Sequence, residues 1–289
     1  MAEVVSFKKK NRDPNPQKEM SFWKHIDELR WVLFRIIIVM VVFSGVAFAY
    51  KEIVFDTIIL GPRNQDFITY RVLCKLGHFL SMDGLCISSF DLSIVNLTLT
   101  GQFMKHISIS IYAGVILSSP YILWEFWRFI KPALKPKERR YTNYALLICI
   151  FLFLAGVLFS YFVIVPLTVN FLATYVLSDA IKNTISLDSY ISTVTTLTLI
   201  MGVVFELPII MYMLARFGII TKGFLKKKRK YAVVIVLIAA AFITPGSDAF
   251  SLVLVSLPLY VLFEVSVWVI PKKKAVSENL EEDEESAAD

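Results

Sequence analysis

The sequence has little of what enzymes and secreted domains depend on. Its 289 residues include three cysteines and three histidines, too few for a disulfide-stapled scaffold or a metal cluster. His25, His78 and His106 lie far apart, and His25-Ile26-Asp27-Glu28 reads as a polar helix start rather than a ligand set. No G-x-S-x-G, H-E-x-x-H or Walker-type phosphate loop occurs, so neither an intramembrane protease nor a metalloenzyme is indicated. No enzyme activity and no cofactor are expected. Charge is also scarce, at 19% of residues, and no internal repeat marks an inverted-repeat transporter.

Apolar side chains are abundant instead. They make up 56% of the chain, against about 45–50% by a similar count in an average soluble domain, and the mean hydropathy is +0.64. A soluble enzyme and a disordered chain are thereby excluded. A bilayer crossing takes about 20 residues. Apolar runs at about 31–50, 106–130, 141–166, 190–215, 231–244 and 249–270 use most of the length and predict an all-α polytopic membrane protein with six transmembrane helices. The expected organisation is a basic N-terminal segment over 1–20, a six-helix membrane domain over 21–270 with an outer loop at about 62–102, and an acidic, disordered tail over 271–289. The first run is not read as a cleavable signal, because some thirty polar residues precede it and no small-residue cleavage site follows.

The formal net charge is +6, yet residues 278–289 carry seven acids and no base, which leaves the rest at +13. In a membrane protein such an excess is first a topology signal, and nucleic-acid binding is not expected. Lysine and arginine number 24 on one face and six on the other (Lys51, Arg63, Arg71, Lys75, Lys105, Lys182). The positive-inside rule then puts both termini in the cytoplasm.

The last two runs are unusual. From Tyr231 to Ile243 there are thirteen residues before Thr244-Pro245, about 20 Å of helix against a hydrocarbon core of about 30 Å. The sixth run carries Pro258 and Glu264. Short fifth and sixth helices predict a bilayer thinned around them, or shielding by protein. The outer segment, with Cys74 and Cys86 and the alternating stretch DLSIVNLTL, reads as an ordered loop with short helical or extended pieces.

Three acids attract notice. Glu206 is ten residues from Arg216, about 15 Å along a helix, which places it near the bilayer midplane. A charge there costs about 3 kcal/mol even on insertion scales, so the group must be protonated, paired or turned to a polar cavity. Pro208 cannot donate to the carbonyl of Val204, which predicts a kink beside the acid. Glu28 and Glu138 stand among bases, Arg30 in one case and Arg139 and Arg140 in the other. Taken singly, each reads as a helix-end ion pair.

Together these residues resemble a known family. Phe22-Trp23-x-His25-x-x-Glu28-Leu29-Arg30, Leu60-Gly61-Pro62, Ser119-Pro120-Tyr121-Ile122-Leu123, Trp127-x-Phe129-Ile130-x-Pro132-Ala133-Leu134 and Lys137-Glu138-Arg139-Arg140 occur in its order. Gly202-Val203-x-Phe205-Glu206-x-Pro208 and Leu257-Pro258-x-x-x-Leu262-Phe263-Glu264 complete the set. The family is TatC, the signal-peptide receptor subunit of the twin-arginine protein translocase, and the resemblance runs from about residue 20 to 270. One departure is that the family's T-P-P-D is Thr244-Pro245-Gly246-Ser247-Asp248 here, one residue longer. The outer loop is also longer than usual.

The resemblance implies a concave, glove-like six-helix receptor in the bacterial cytoplasmic (inner) membrane. It would bind twin-arginine signal peptides of folded cargo proteins and, with TatA-type and TatB-type single-span subunits in a multi-copy complex, export them using the proton-motive force. Glu28, Glu138, Phe129 and Arg30 would form the signal-peptide site, because paired guanidinium groups suit carboxylates. Glu206, Pro208 and Glu264 would serve partner docking, and Pro62 the outer loop. Cys74 and Cys86 would form a disulfide if the outer compartment is oxidising. The competing expectation is a proton- or cation-coupled small-molecule transporter using Glu206.

Overall fold

The computed structural model describes residues 22–64, 66–80, 93–131, 142–178, 183–244 and 248–270. Its elements are helices α1 (Phe22–Ala49), α2 (Ile68–Leu80), α3 (Gly101–Ile130), α4 (Thr142–Phe159), α5 (Val165–Thr174), α6 (Leu187–Val204), α7 (Leu207–Arg216), α8 (Lys222–Lys227), α9 (Arg229–Ile243) and α10 (Ala249–Val269), with two-residue strands β1 (Ile94–Val95) and β2 (Ile185–Ser186). Among the described residues, five helical stretches are long and apolar enough to cross a membrane: Ile26–Ala49, Gly101–Ile130, Tyr144–Thr174, Leu187–Arg216 and Ala249–Val269. The fifth apolar run of the sequence is α9. Its 15 residues cover about 22 Å, too little for an undistorted bilayer.

The third span outruns its predicted end. Pro166 stands near the start of α5, the Phe162 carbonyl that its missing N–H leaves free accepts from the Thr69 hydroxyl, and the wide turn Ser160–Ile164 joins α4 to α5 without breaking the rod. The fourth span breaks where the sequence says it should. Phe205 and Glu206 form a turn between α6 and α7, and Pro208 follows in the first turn of α7.

The helices meet through small residues and apolar faces. A Cβ on Gly156 would stand 2.6 Å from the carbonyl oxygen of Met201, and one on Gly202 would stand 2.8 Å from Val157. Only glycine lets α4 and α6 approach so closely. The main core gathers Ile164, Val165, Ile191, Leu197, Met201 and Val255. Outward faces are apolar too: Trp31, Phe34, Ile37 and Val41 on α1 and Ile235, Ile238 and Phe242 on α9 are exposed, as lipid contact requires.

At one end of the bundle, backbone carbonyls are closed by tyrosines. Tyr161 donates to the carbonyl of Ile58 at 2.7 Å, Tyr190 to Ile59 at 2.8 Å, and Tyr70 to Pro62 at 2.9 Å and Pro166 at 3.2 Å. Burial pushes the Tyr70 phenol above its usual range. Here Pro62 sits buried in a short turn, Gly61–Arg63. Strand β1 pairs in parallel with β2, Ile94 opposite Ile185, and so ties the long outer segment to the start of α6. The alternating stretch around Ile94 is thus extended, but over two residues only.

Candidate functional site

Helices α1 and α3 run antiparallel, and their contacts grade from apolar to ionic along the length. At the far end Phe48 stacks on His106, ring centroids 4.0 Å apart. Midway, a Cβ on Gly114 would lie 2.7 Å from the backbone nitrogen of Ser44. At the end where α1 begins and α3 finishes, Arg35 donates from Nε to Glu125 Oε1 at 2.8 Å and from Nη2 to Oε2 at 3.0 Å. Glu125 is 0% exposed. Tyr121 donates to the same Oε1 at 3.0 Å, and Arg128 stands 3.8 Å away. This is the forked guanidinium–carboxylate geometry, and it satisfies both oxygens of a buried acid.

Two turns before Arg35 on α1 stands Glu28. It is half-buried and makes no ion pair or hydrogen bond among the described residues. Taken singly, Glu28 reads as a helix-end ion pair beside Arg30; in the structure Arg30 pairs with Asp27 at 3.4 Å instead, both side chains being well exposed. On a helix, residues three apart share a face and residues two apart do not, so Arg30 belongs to Asp27. Phe129 lies half-buried in the last turn of α3. Glu138 lies outside the described residues.

Glu206 is the second buried acid, 6% exposed at the α6–α7 break. Its carboxyl group lies beside the thiol of Cys149 of α4, whose sulfur accepts from Trp127 Nε1 of α3 at 3.1 Å. Three helices therefore meet in one polar chain inside an apolar wall. Glu206 Oε1 has no partner among the described residues. Pro208 is buried beside it.

The remaining expected site residues lie apart from these two. Glu264 of α10 accepts from Arg229 Nη2 at 2.7 Å and from Tyr260 at 3.2 Å. Cys74 of α2 is disulfide-bonded, Cys86 lies outside the described residues, and Cys149 is free and buried. Asp248 caps α10 by accepting from the backbone of Ser251 at 2.7 Å, a structural use of the displaced acid. Sequence reasoning missed Arg35, Glu125, Trp127 and Cys149. The signal for the first two was present: a charge inside an apolar run calls for a partner.

These features define a polytopic helical membrane protein with a charged, partly open site at one end and a buried acid at a broken span. The family model described as "Sec-independent protein translocase protein (TatC)" matches residues 24–258, and the chain belongs to the TatC family. A TatC protein of Blattabacterium sp. subsp. Periplaneta americana is 40% identical over 265 residues, 90% of this chain and 99% of that one. One of Carboxydothermus hydrogenoformans is 34% identical over 252 residues, 87% of this chain and 93% of that one. A crystal structure of a twin-arginine translocase receptor, TatC, in DDM superposes with a TM-score of 0.70 at 34% identity, covering 86% of this chain and 99% of that one. These relatives are translocase components, which lends the small-molecule transporter reading no support.

Proposed function

We propose that this protein is the signal-peptide receptor and core subunit of a twin-arginine translocase, exporting folded cargo with the proton-motive force. Both termini face the cytoplasm, α9 counts as a sixth span in a locally thinned inner membrane, and no bond in the cargo is made or broken. Glu28 with Glu138 takes the two arginines of the signal, with Phe129 and Arg30 bordering the site. The observation that carries this reading is Glu28: an acid at the start of α1, half-buried and without an ion-pair partner among the described residues, while Asp27 and Glu125 nearby each hold an arginine. A half-buried carboxylate with free acceptors suits an incoming guanidinium, whose hydrogen bond to a charged group is worth about 1.5–3 kcal/mol.

Partners dock at the buried acid. Glu206, with Pro208 opening the helix beside it, offers Oε1 to a polar residue in the span of a TatA-type or TatB-type subunit, and Glu264 borders the same use in a multi-copy complex surrounded by lipid. On the outer face, Pro62 shapes the loop, and a Cys74–Cys86 bridge would stabilise it by roughly 3 kcal/mol in the chain-entropy model. Intact mass after alkylation without reduction tests the bridge: one alkylated cysteine supports it, three refute it.

The deciding experiment is affinity for a labelled twin-arginine peptide in purified protein. Glu28→Gln or Glu138→Gln is expected to weaken binding about tenfold or more, and a Lys-Lys peptide to bind worse because lysine lacks the planar fork. Unchanged affinity in the double variant, with the fold intact, moves the signal site elsewhere.

A further inference from the structure

The acid at the start of α1 has no ion pair among the described residues although two arginines follow it along the helix. Arg30 is held by Asp27 at 3.4 Å. Arg35 is held by both oxygens of Glu125, at 2.8 and 3.0 Å. Glu28 and Arg35 are seven residues apart, two turns on one face, about 10 Å along the axis. Helical side chains lean toward the N-terminus, so Arg35 points back in the direction of Glu28. The two already lie within electrostatic range of each other.

We infer that Glu125 is a specificity-determining positioning residue: by holding Arg35 on α3 it keeps Glu28 vacant for a guanidinium from outside. The inference rests on the reading of Glu28 as a signal-binding acid. Glu125 itself is fully buried and does not touch the peptide; it acts through Arg35. Three features fit that task. The fork leaves neither carboxylate oxygen unsatisfied, Tyr121 adds a third bond on α3, and Arg128 stands at 3.8 Å from the same oxygen. The hold is therefore redundant on the α3 side, and Arg35 has no equal alternative while Glu125 is charged. Neutralising Glu125 removes that preference, and Glu28 becomes the nearest full negative charge for Arg35. The chain's own arginine then competes with the signal's.

The test is twin-arginine peptide affinity for full-length protein in detergent across single and double variants, with a thermal melt on each. Glu125→Gln, close in shape, is expected to weaken binding about tenfold, the scale of one charge-assisted bond. Adding Arg35→Gln to Glu125→Gln removes the competitor and is expected to return affinity to within about threefold of the starting protein. A purely structural or directly contacting Glu125 gives no such rescue. Arg35→Lys, which keeps the charge but loses the planar fork on Glu125, is expected to weaken binding by about two- to threefold and keeps the test valid should Glu125→Gln not fold. Overturning results are Glu125→Gln with starting affinity, a double variant as weak as the single, or, where Glu125→Gln does not fold, Arg35→Lys without effect. Glu28→Gln separates the two levels. If it leaves affinity unchanged, the receptor-site reading itself fails; if it weakens binding but the double variant is not rescued, only the role of Glu125 fails.

Discussion

Among the described residues the bundle buries two carboxylates, Glu125 on α3 and Glu206 at the α6–α7 break, and equips them in opposite ways. Glu125 has its guanidinium fork, a tyrosine hydroxyl and a second arginine. Glu206 has a thiol, and one oxygen without any partner among the described residues. Both sit within apolar membrane-spanning stretches, where an ionisable group survives only by pairing or by use. A carboxylate whose acceptors are all taken holds the protein to itself. One left half-satisfied holds a place for something else. On the proposed reading, the difference leaves Glu125 to the internal architecture of the charged end and Glu206 to contacts with partner spans.

The sharpest way to break the comparison is to strip each acid of its support. Arg35→Ala leaves the fully buried Glu125 facing only Tyr121 and Arg128, and losing one partner of a buried pair is expected to cost about 3 kcal/mol. Denaturation midpoints in detergent read this directly, and a loss below about 1 kcal/mol would mean that Arg128 already suffices. Glu206→Ala is expected to do the reverse. It removes an oxygen that had no partner, so stability should change by less than about 1 kcal/mol, while site-specific crosslinks to partner spans and export both fall. Glu206→Gln, which keeps a hydrogen-bonding head, should be mild in both respects. Export and crosslinks unchanged in Glu206→Ala would end the docking reading, and a large loss of stability there would erase the contrast with Glu125.

Much of this was legible in the sequence, for reasons that differ along the chain. The apolar runs could be counted because spanning a bilayer is a local demand on some twenty consecutive residues. The break at Glu206 could be placed because Pro208 acts within its own turn. The short α9 was likewise announced by Thr244-Pro245. Pairings were a different matter. Arg35 and Glu125 are 90 residues apart, and nothing in either run names the other. The β1–β2 pair joins Ile94 to Ile185 across two intervening spans. Even the local error, giving Arg30 to Glu28, came from reading adjacency along the chain where the helix enforces adjacency at three and four residues. The polar chain from Trp127 through Cys149 to Glu206 was hidden because tryptophan and cysteine in an apolar run look like filler until their N–H and S–H find acceptors.

That chain supplies the finest test of how the two acids differ. Cys149 accepts from Trp127 at 3.1 Å and lies beside Glu206, so it is placed to orient the acid, whose Oε1 is buried without a partner among the described residues. Cys149→Ser keeps a donor and an acceptor in the same place and should leave partner crosslinks as they are. Cys149→Ala removes both. Hydrogen bonds between membrane helices average below about 1 kcal/mol, so the denaturation midpoint should barely move. The carboxyl, however, loses its bearing, and crosslinks from the Glu206 level should spread over neighbouring positions of the partner span rather than disappear. If Cys149→Ala leaves the crosslink pattern as sharp as before, the break at Phe205 and Glu206 alone orients the acid, and the thiol is packing.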